Sequence, residues 1–399
     1  MQIMRFLAAF VCLLMPGAPA AMEIATGSML GSKYDQRAFY YRRDAADVWR
    51  KTYSGPEYKR AAQGKLMNLR LAQALFHDEW LTERPFDPDQ NTDAVIEALD
   101  FYRSHGILMI NVSLQGGNPG YDPKVNGIAR QNGYRYGPNK GLLVSAFRPD
   151  GSLKPEWMAR LGRLLKAADQ RGMFVNVLYF YQGQDEVFES TAAIHAAARN
   201  ATDWLIANNH RNVLIDVANE YDLRGDRWDF ARYIPENIIR LIEEVRERFQ
   251  AKKAGFVLPI SASSDGRMNF PDALVEAADF VLIHGNNRTP EQKRQRVAEL
   301  RHVPRPVLMN EDDNGRATTR ANLAKELASC DILFEGGAGW GYMPWVQAQR
   351  FPFRFMPGEK SDVVDEMPEN ERDLAYFHAV LDHIARLVMA KPPHPMRGK

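Results

Sequence analysis

Cysteine is the first thing this chain has little of. Its 399 residues hold two. Cys12 lies in an apolar block at the N-terminus, and Cys330 is the other. If the block is removed, one thiol remains and no internal disulfide can form, so the core alone must stabilise the fold. Long apolar runs are also missing. After the N-terminus no stretch reaches the ~20 residues that a spanning helix needs. Charge of one sign is absent too. The net charge is +1, which sets up no field to attract nucleic acid or an anionic membrane. There is no G-x-G-x-x-G turn for a dinucleotide, and EGGAGWG near residue 340 reads as a tight turn. The nine histidines include no H-x-H and no H-E-x-x-H. No cofactor and no metal are therefore expected.

What is present is ordinary globular composition, 45% hydrophobic and 25% charged, ample for a large core. The N-terminus carries one Arg, the block FLAAFVCLLM, and then small residues in PGAPAA. This is the pattern of a secretory signal peptide cleaved near Ala20, Ala21 or Met22. It implies a secreted or periplasmic protein, with no membrane attachment after cleavage. The expected organisation is a signal peptide over 1–21, an N-terminal segment over 22–64 packing on the main domain, that domain over 65–391, and a tail over 392–399.

Within the main domain, short apolar runs alternate with helical periods. The expected strands are LRLAQALF (Leu69–Phe76), ILMINVSL, MFVNVLYFY, VLIDVANE, FVLPISA, FVLIHGN, RPVLMNE and DILFEGG. Helical patterns separate them, the first with its cap at Asn91 or Thr92. The strands are apolar on both faces, as in a parallel sheet covered by helices. Eight such units fit a single-domain α/β fold, the (β/α)8 TIM barrel, with long loops after strands two and eight. A doubly wound open sheet is the alternative, but it wants the missing glycine-rich turn. The loop inserts are Gly116–Gly141, rich in Gly, Asn and Tyr, and Trp345–Asp362, which carries Phe351, Phe353 and Phe355 and suggests a lid, a partner patch or a sugar platform.

A barrel places its chemistry where the strands end. Those ends carry His77, Asp78 and Glu79; Gln115 and Asn118; Tyr179, Tyr181 and Gln182; Asn219 and Glu220; three serines; His284, Asn286 and Asn287; Asn310, Glu311, Asp312 and Asp313; and Trp340 with Tyr342. Amides and acids bind hydroxyls and aromatic faces stack on sugar rings, so a carbohydrate is the expected partner. With Asn219-Glu220 ending strand four and Glu311 ending strand seven, the chain resembles clan A glycoside hydrolases, the barrel group that includes the family 5 cellulases and mannanases. The resemblance implies a glycosidase with Glu220 as acid/base and Glu311 as nucleophile, and retention of configuration. It also implies that Asn219 bonds the sugar's 2-hydroxyl. The expected substrate-binding set is Asn219, His284, Asn286, Arg70, Gln115, Asn118, Tyr179, Tyr181 and Trp340.

Several positions stay open at this point. Two-residue alternation puts Asp216 on the face of Glu220, where a buried acid needs a partner. Arg70 is the partner by type, and a structural ion pair is the expectation, although barrels of this clan often hold an Arg near the nucleophile. The clan's usual Tyr after strand six is missing, since the sequence reads His284-Gly285-Asn286. Asp312 or Asp313 could share the nucleophile's role. NEDDNG does not make a calcium loop, because aligning Gly315 to the loop glycine puts Ala321 where the bidentate Glu belongs. A metal-dependent hydrolase and a non-catalytic carbohydrate-binding barrel are the other readings. Cys330 sits in a helical segment and reads as a packed thiol.

Overall fold

The computed structural model describes residues 23–26, 39–42, 65–75, 87–115, 145–223, 228, 233–313, 317–344 and 353–388. The N-terminal segment contributes a short antiparallel pair, Glu23–Thr26 with Phe39–Arg42. The signal segment, the tail, the loop Gly116–Gly141 and His77, Asp78 and Glu79 lie outside the described residues.

The main domain is a (β/α)8 barrel. Its strands are β1 (Asn68–Arg70), β2 (Met109–Ser113), β3 (Phe174–Tyr181), β4 (Val213–Asn219), β5 (Ile260–Ser261), β6 (Val281–His284), β7 (Val307–Glu311) and β8 (Gly341–Tyr342). The covering helices are α1 (Pro88–Ser104), α2 (Pro155–Gln170), α3 (Thr191–Ala207), α4 (Ile238–Ala251), α5 (Asp272–Ala277), α6 (Pro290–Glu299), α7 (Arg320–Glu335) and α8 (Glu369–Val388). One parallel sheet runs β8-β1-β2-β3-β4-β5 and β6 pairs with β7. The ring closes through parallel bridges from Leu308 to Gly339 and from Asp312 to Tyr342, and through the Ser264 amide donating to the Leu282 carbonyl at 3.2 Å. Closure at β8 needs glycine, because a Cβ on Gly341 would meet Asn68 Oδ1 at 2.2 Å.

Three expectations from the sequence need correction. Strand one stops at Arg70, and Ala72–Leu75 form a 3-10 turn. Asn91 and Thr92, expected as helix caps, donate instead to the Gln73 and Ala74 carbonyls of that turn; α1 is capped by Asp87, with Pro88 at its first position. DILFEGG is not the eighth strand. Helix α7 runs on through Glu335 and the strand is Gly341–Tyr342, because short apolar runs have the same composition in a buried helix face as in a strand. Of the aromatic insert, Phe355 is buried and Tyr102 donates to its carbonyl at 2.7 Å. Phe355 therefore packs against α1; residues 345–352 of the insert, Phe351 among them, lie outside the described residues. Cys330 is buried in α7, where burial pushes its thiol up.

The barrel interior is polar in its lower half. Asn111 Nδ2 donates to Asn68 Oδ1 at 2.6 Å, and Asn176 Nδ2 donates to Asn111 Oδ1 at 3.0 Å. This ladder of amides crosses β1, β2 and β3 below the strand ends. Apolar packing lies mainly between sheet and helices, where Leu, Ile, Val and Phe of both layers interdigitate.

Candidate active site

Strand β4 ends on Asn219 because that side chain is wholly inside the barrel. Its Oδ1 accepts Arg70 Nη2 at 2.7 Å, and its Nδ2 donates to Gln182 Oε1 at 2.8 Å. Glu220 follows with φ of 48°, a left-handed conformation uncommon outside glycine. The surroundings impose it. Ser263 Oγ accepts the Glu220 amide at 3.3 Å, the Ser263 carbonyl accepts the Tyr221 amide at 3.1 Å, and Trp228 Nε1 donates to the Glu220 carbonyl at 3.3 Å. Backbone held in such a conformation clusters at functional sites. Its effect here is to turn the Glu220 carboxylate back over the barrel.

Glu311 ends β7 opposite. Arg70 Nε approaches its Oε2 at 2.8 Å, and Asn286 Nδ2 donates to its Oε1 at 2.5 Å. His284, completely buried, spans the two acids, with Nδ1 3.2 Å from Glu220 Oε1 and 3.7 Å from Glu311 Oε2. Glu220, His284 and Glu311 each offer an atom within 4.8 Å of the others. The two carboxylates therefore stand close, with His284 of β6 facing both and Arg70 of β1 on Glu311.

Their environments push them apart in acidity. Burial raises the Glu220 carboxyl, and the charges of Glu311 and Asp265 add to it, against His284, which pulls it down. Burial works to raise Glu311 as well, but His284, Arg70 and the Asn286 amide outweigh it and hold that carboxyl below its ordinary value. Burial lowers His284, yet Glu311 and Glu220 overcome it and the imidazole is raised. Adjacent titrating groups displaced in opposite directions mark an acid and a base.

The same cluster has the spacing a cation could bridge. However, a permanent guanidinium charge already sits on Glu311, and Gln182 and Asn286 present N–H groups to the carboxylates. These donors occupy carboxylate oxygens that a cation would need, and we assign no metal ligand here.

Arg70, Asn219, Glu220, His284, Asn286 and Glu311 are thus brought together, and half-buried Tyr181 lies near enough to act on the charge of Arg70. Five expectations fall elsewhere. Arg70 pairs with Glu311 and not with Asp216, whose Oδ1 accepts the Ser263 amide at 3.0 Å. Tyr179 points outward, its hydroxyl 3.2 Å from Thr202 Oγ1 on α3, because alternation along β3 turns it away from the interior. Gln115 is spent on structure: Oε1 accepts the Tyr181 amide and Nε2 donates to Ser145 Oγ. Trp340 is fully buried against Tyr342 and donates Nε1 to Asp312 Oδ2 at 2.7 Å, leaving no face for a sugar. Asp312 is likewise no nucleophile, since Lys293 Nζ holds both its oxygens, at 2.6 and 2.9 Å, with both side chains sealed from solvent. Asn118 lies outside the described residues. Gln182, on the rim in the sequence but outside the expected binding set, belongs to the site: its Nε2 donates to Glu220 Oε2 at 2.7 Å.

No family profile matches the sequence, and no curated protein matches it. Solved structures do. A β-glycosidase, BGL167, is 12% identical with a TM-score of 0.50, over 83% of this chain and 98% of that one. A broad-specificity endoglucanase from Bacteroides salanitronis is 11% identical with a TM-score of 0.49, over 81% and 93%. An exo-β-1,4-mannosidase from Opitutaceae bacterium strain TAV5 is 17% identical with a TM-score of 0.47, over 83% of this chain and 61% of the mannosidase. The likeness is one of fold.

Proposed function

We propose that this chain is a glycoside hydrolase acting on a poly- or oligosaccharide with retention of configuration. Glu311 is the nucleophile and Glu220 the acid/base. The observation that carries the reading is the pair itself: two carboxylates at the ends of β4 and β7, with oxygens within 4.8 Å and opposite displacements in acidity. Retaining pairs stand ~5–5.5 Å apart, whereas inverting pairs leave ~6.5–9.5 Å for a water.

In the first step Glu311 attacks the anomeric carbon. The bond to the leaving oxygen breaks as Glu220 delivers its proton there, and a glycosyl ester of Glu311 forms. Arg70 and Asn286 keep Glu311 ionised until that moment. Esterification removes the Glu311 charge that had helped to raise Glu220, so the Glu220 carboxyl becomes a stronger acid and stands as a carboxylate. It then takes a proton from water, which attacks the same carbon and releases Glu311. Asn219 has committed one amide N–H to Gln182; the other is the donor left for a sugar 2-hydroxyl. Export is part of this proposal, supported by the signal-peptide pattern of the N-terminal sequence.

The test is a panel of α- and β-linked oligosaccharides, with the anomer of the first product read by proton NMR. The expected result is hydrolysis of at least one class with retention, abolished by Glu220→Gln and by Glu311→Gln. An inverted first product would overturn the two-step mechanism. Unchanged hydrolysis in either variant would overturn the assignment.

A further inference from the structure

Gln182 directly follows β3 and is 5% exposed. It joins Asn219 to Glu220 and completes an unbroken path between the two acids. Arg70 Nε lies 2.8 Å from Glu311 Oε2, and Arg70 Nη2 donates to Asn219 Oδ1 at 2.7 Å. Asn219 Nδ2 donates to Gln182 Oε1 at 2.8 Å, and Gln182 Nε2 donates to Glu220 Oε2 at 2.7 Å. An amide in isolation can present either end to a neighbour. Here it cannot, because arginine only donates. Asn219 must turn its oxygen to Arg70 and its nitrogen to Gln182; Gln182 must then turn its oxygen to Asn219 and its nitrogen to Glu220. The guanidinium that serves the nucleophile therefore decides which kind of atom faces the acid.

We propose that Gln182 is a positioning residue of the acid/base, an amide relay whose polarity, set by Arg70, keeps an N–H on Glu220 Oε2 and confines the catalytic proton to Oε1. The proposal rests on the acid/base role given to Glu220 above. Oε1 is the oxygen that faces His284 Nδ1 at 3.2 Å, so the acid's proton and the imidazole meet at one point. A donor on Oε2 also favours the ionised form, which limits how far burial raises this carboxyl. The other charged groups acting on Glu220 are His284 from β6, Glu311 from β7, Asp265 beyond β5 and Arg70 from β1. None of these changes when Gln182 is replaced.

Two variants test the relay. Gln182→Met keeps the length and removes donor and acceptor; Gln182→Glu keeps the shape and replaces the donor with a like charge. The Glu220 carboxyl is followed by carbon NMR of protein labelled at the glutamate side chain, with the resonance assigned through Glu220→Gln. No substrate is present. In Gln182→Met the titration should rise on the order of one pH unit, and in Gln182→Glu further. With substrate, the alkaline limb of kcat/KM should move up with it. A Glu220 titration unmoved in both folded variants overturns the relay, even if activity falls. A wild-type protein inactive on every glycan, with the titration shifted as described, would instead remove the glycosidase reading and leave the relay standing.

Discussion

The side-chain amide of Asn286, just beyond β6, lies 2.5 Å from Glu311 Oε1 at the end of β7. It fills the place left open when the sequence shows no tyrosine after strand six. An amide donor stabilises a carboxylate as a phenol would, and Glu311 is lowered in part by it. Replacing Asn286 with Ala should therefore raise Glu311. A nucleophile must be ionised, so the acidic limb of kcat/KM should move to higher pH by roughly one unit. Activity would fall about tenfold on that limb and little above it. A uniform loss at every pH would mean that Asn286 acts on the substrate and not on Glu311.

Asp216 sits below the catalytic pair, wholly buried, with Oδ2 lacking a partner among the described residues. Burial pushes its carboxyl from 3.8 up to about 6, against Ser263, His284 and Arg70. The sign follows from linkage. The folded chain keeps this proton longer than the unfolded chain, so the unfolded state ionises first as pH rises, and stability falls between about 4 and about 6. A shift of about two units corresponds to about 3 kcal/mol. Asp216→Asn retains an oxygen for the Ser263 amide and removes the charge. Its melting temperature relative to wild type should climb as pH goes from 4 to 7. A difference independent of pH would contradict the raised acidity constant of this group.

The fold was legible in the sequence because apolar runs alternate with helical periods, and seven of the eight runs hold a barrel strand. The periodicity failed where tertiary contacts override it. Ala72–Leu75 turns because Asn91 and Thr92 take its carbonyls from a helix start some 17 residues on. Likewise DILFE continues α7, and nothing local distinguishes that from a strand. The acids were legible by position at strand ends. Their partners were not: alternation put Asp216 on the interior face but gives no reach, Arg70 was its partner only by residue type, and the long Arg70 side chain ends instead at Glu311. Gln182 gave one signal, its place on the rim, but its amide's direction exists only through Asn219 and Arg70.

Lys293 and Asp312 form an ion pair with no solvent contact, supported by Ser329 and Trp340. Removing one partner leaves a buried charge uncompensated, which costs about 3–5 kcal/mol. Lys293→Met and Asp312→Asn should each lower stability on that scale, while the double variant should lose less than the sum. Because Asp312 follows Glu311 in the chain, kcat will fall with either variant. The limbs of the pH profile should nevertheless stay where they are, since this pair supports the end of β7 without touching either acid's proton. Denaturant unfolding of the three variants, alongside their pH profiles, checks both statements.

Glu220 and Glu311 differ in what each must do, and small anions separate the roles. Glu311→Ala removes the nucleophile and leaves a gap beside the anomeric carbon. Azide placed there should attack directly, giving a glycosyl azide of inverted configuration with Glu220 still able to protonate the leaving group. Glu220→Ala leaves the nucleophile and removes the acid. A natural glycan then has no proton for its leaving oxygen, but an aryl glycoside with a good leaving group needs little help and should still form the ester on Glu311. Water is no longer activated, so the ester should accumulate, visible by mass spectrometry as the intact protein plus one glycosyl unit. Azide needs no base and should release it, giving an azide of retained configuration. The two products, of opposite configuration from the same sugar and the same anion, distinguish the acids. Exchanged outcomes would reverse the assignments of Glu220 and Glu311. An inverted azide from both variants would mean that no ester forms on Glu311 and that the close spacing of the pair serves a single displacement.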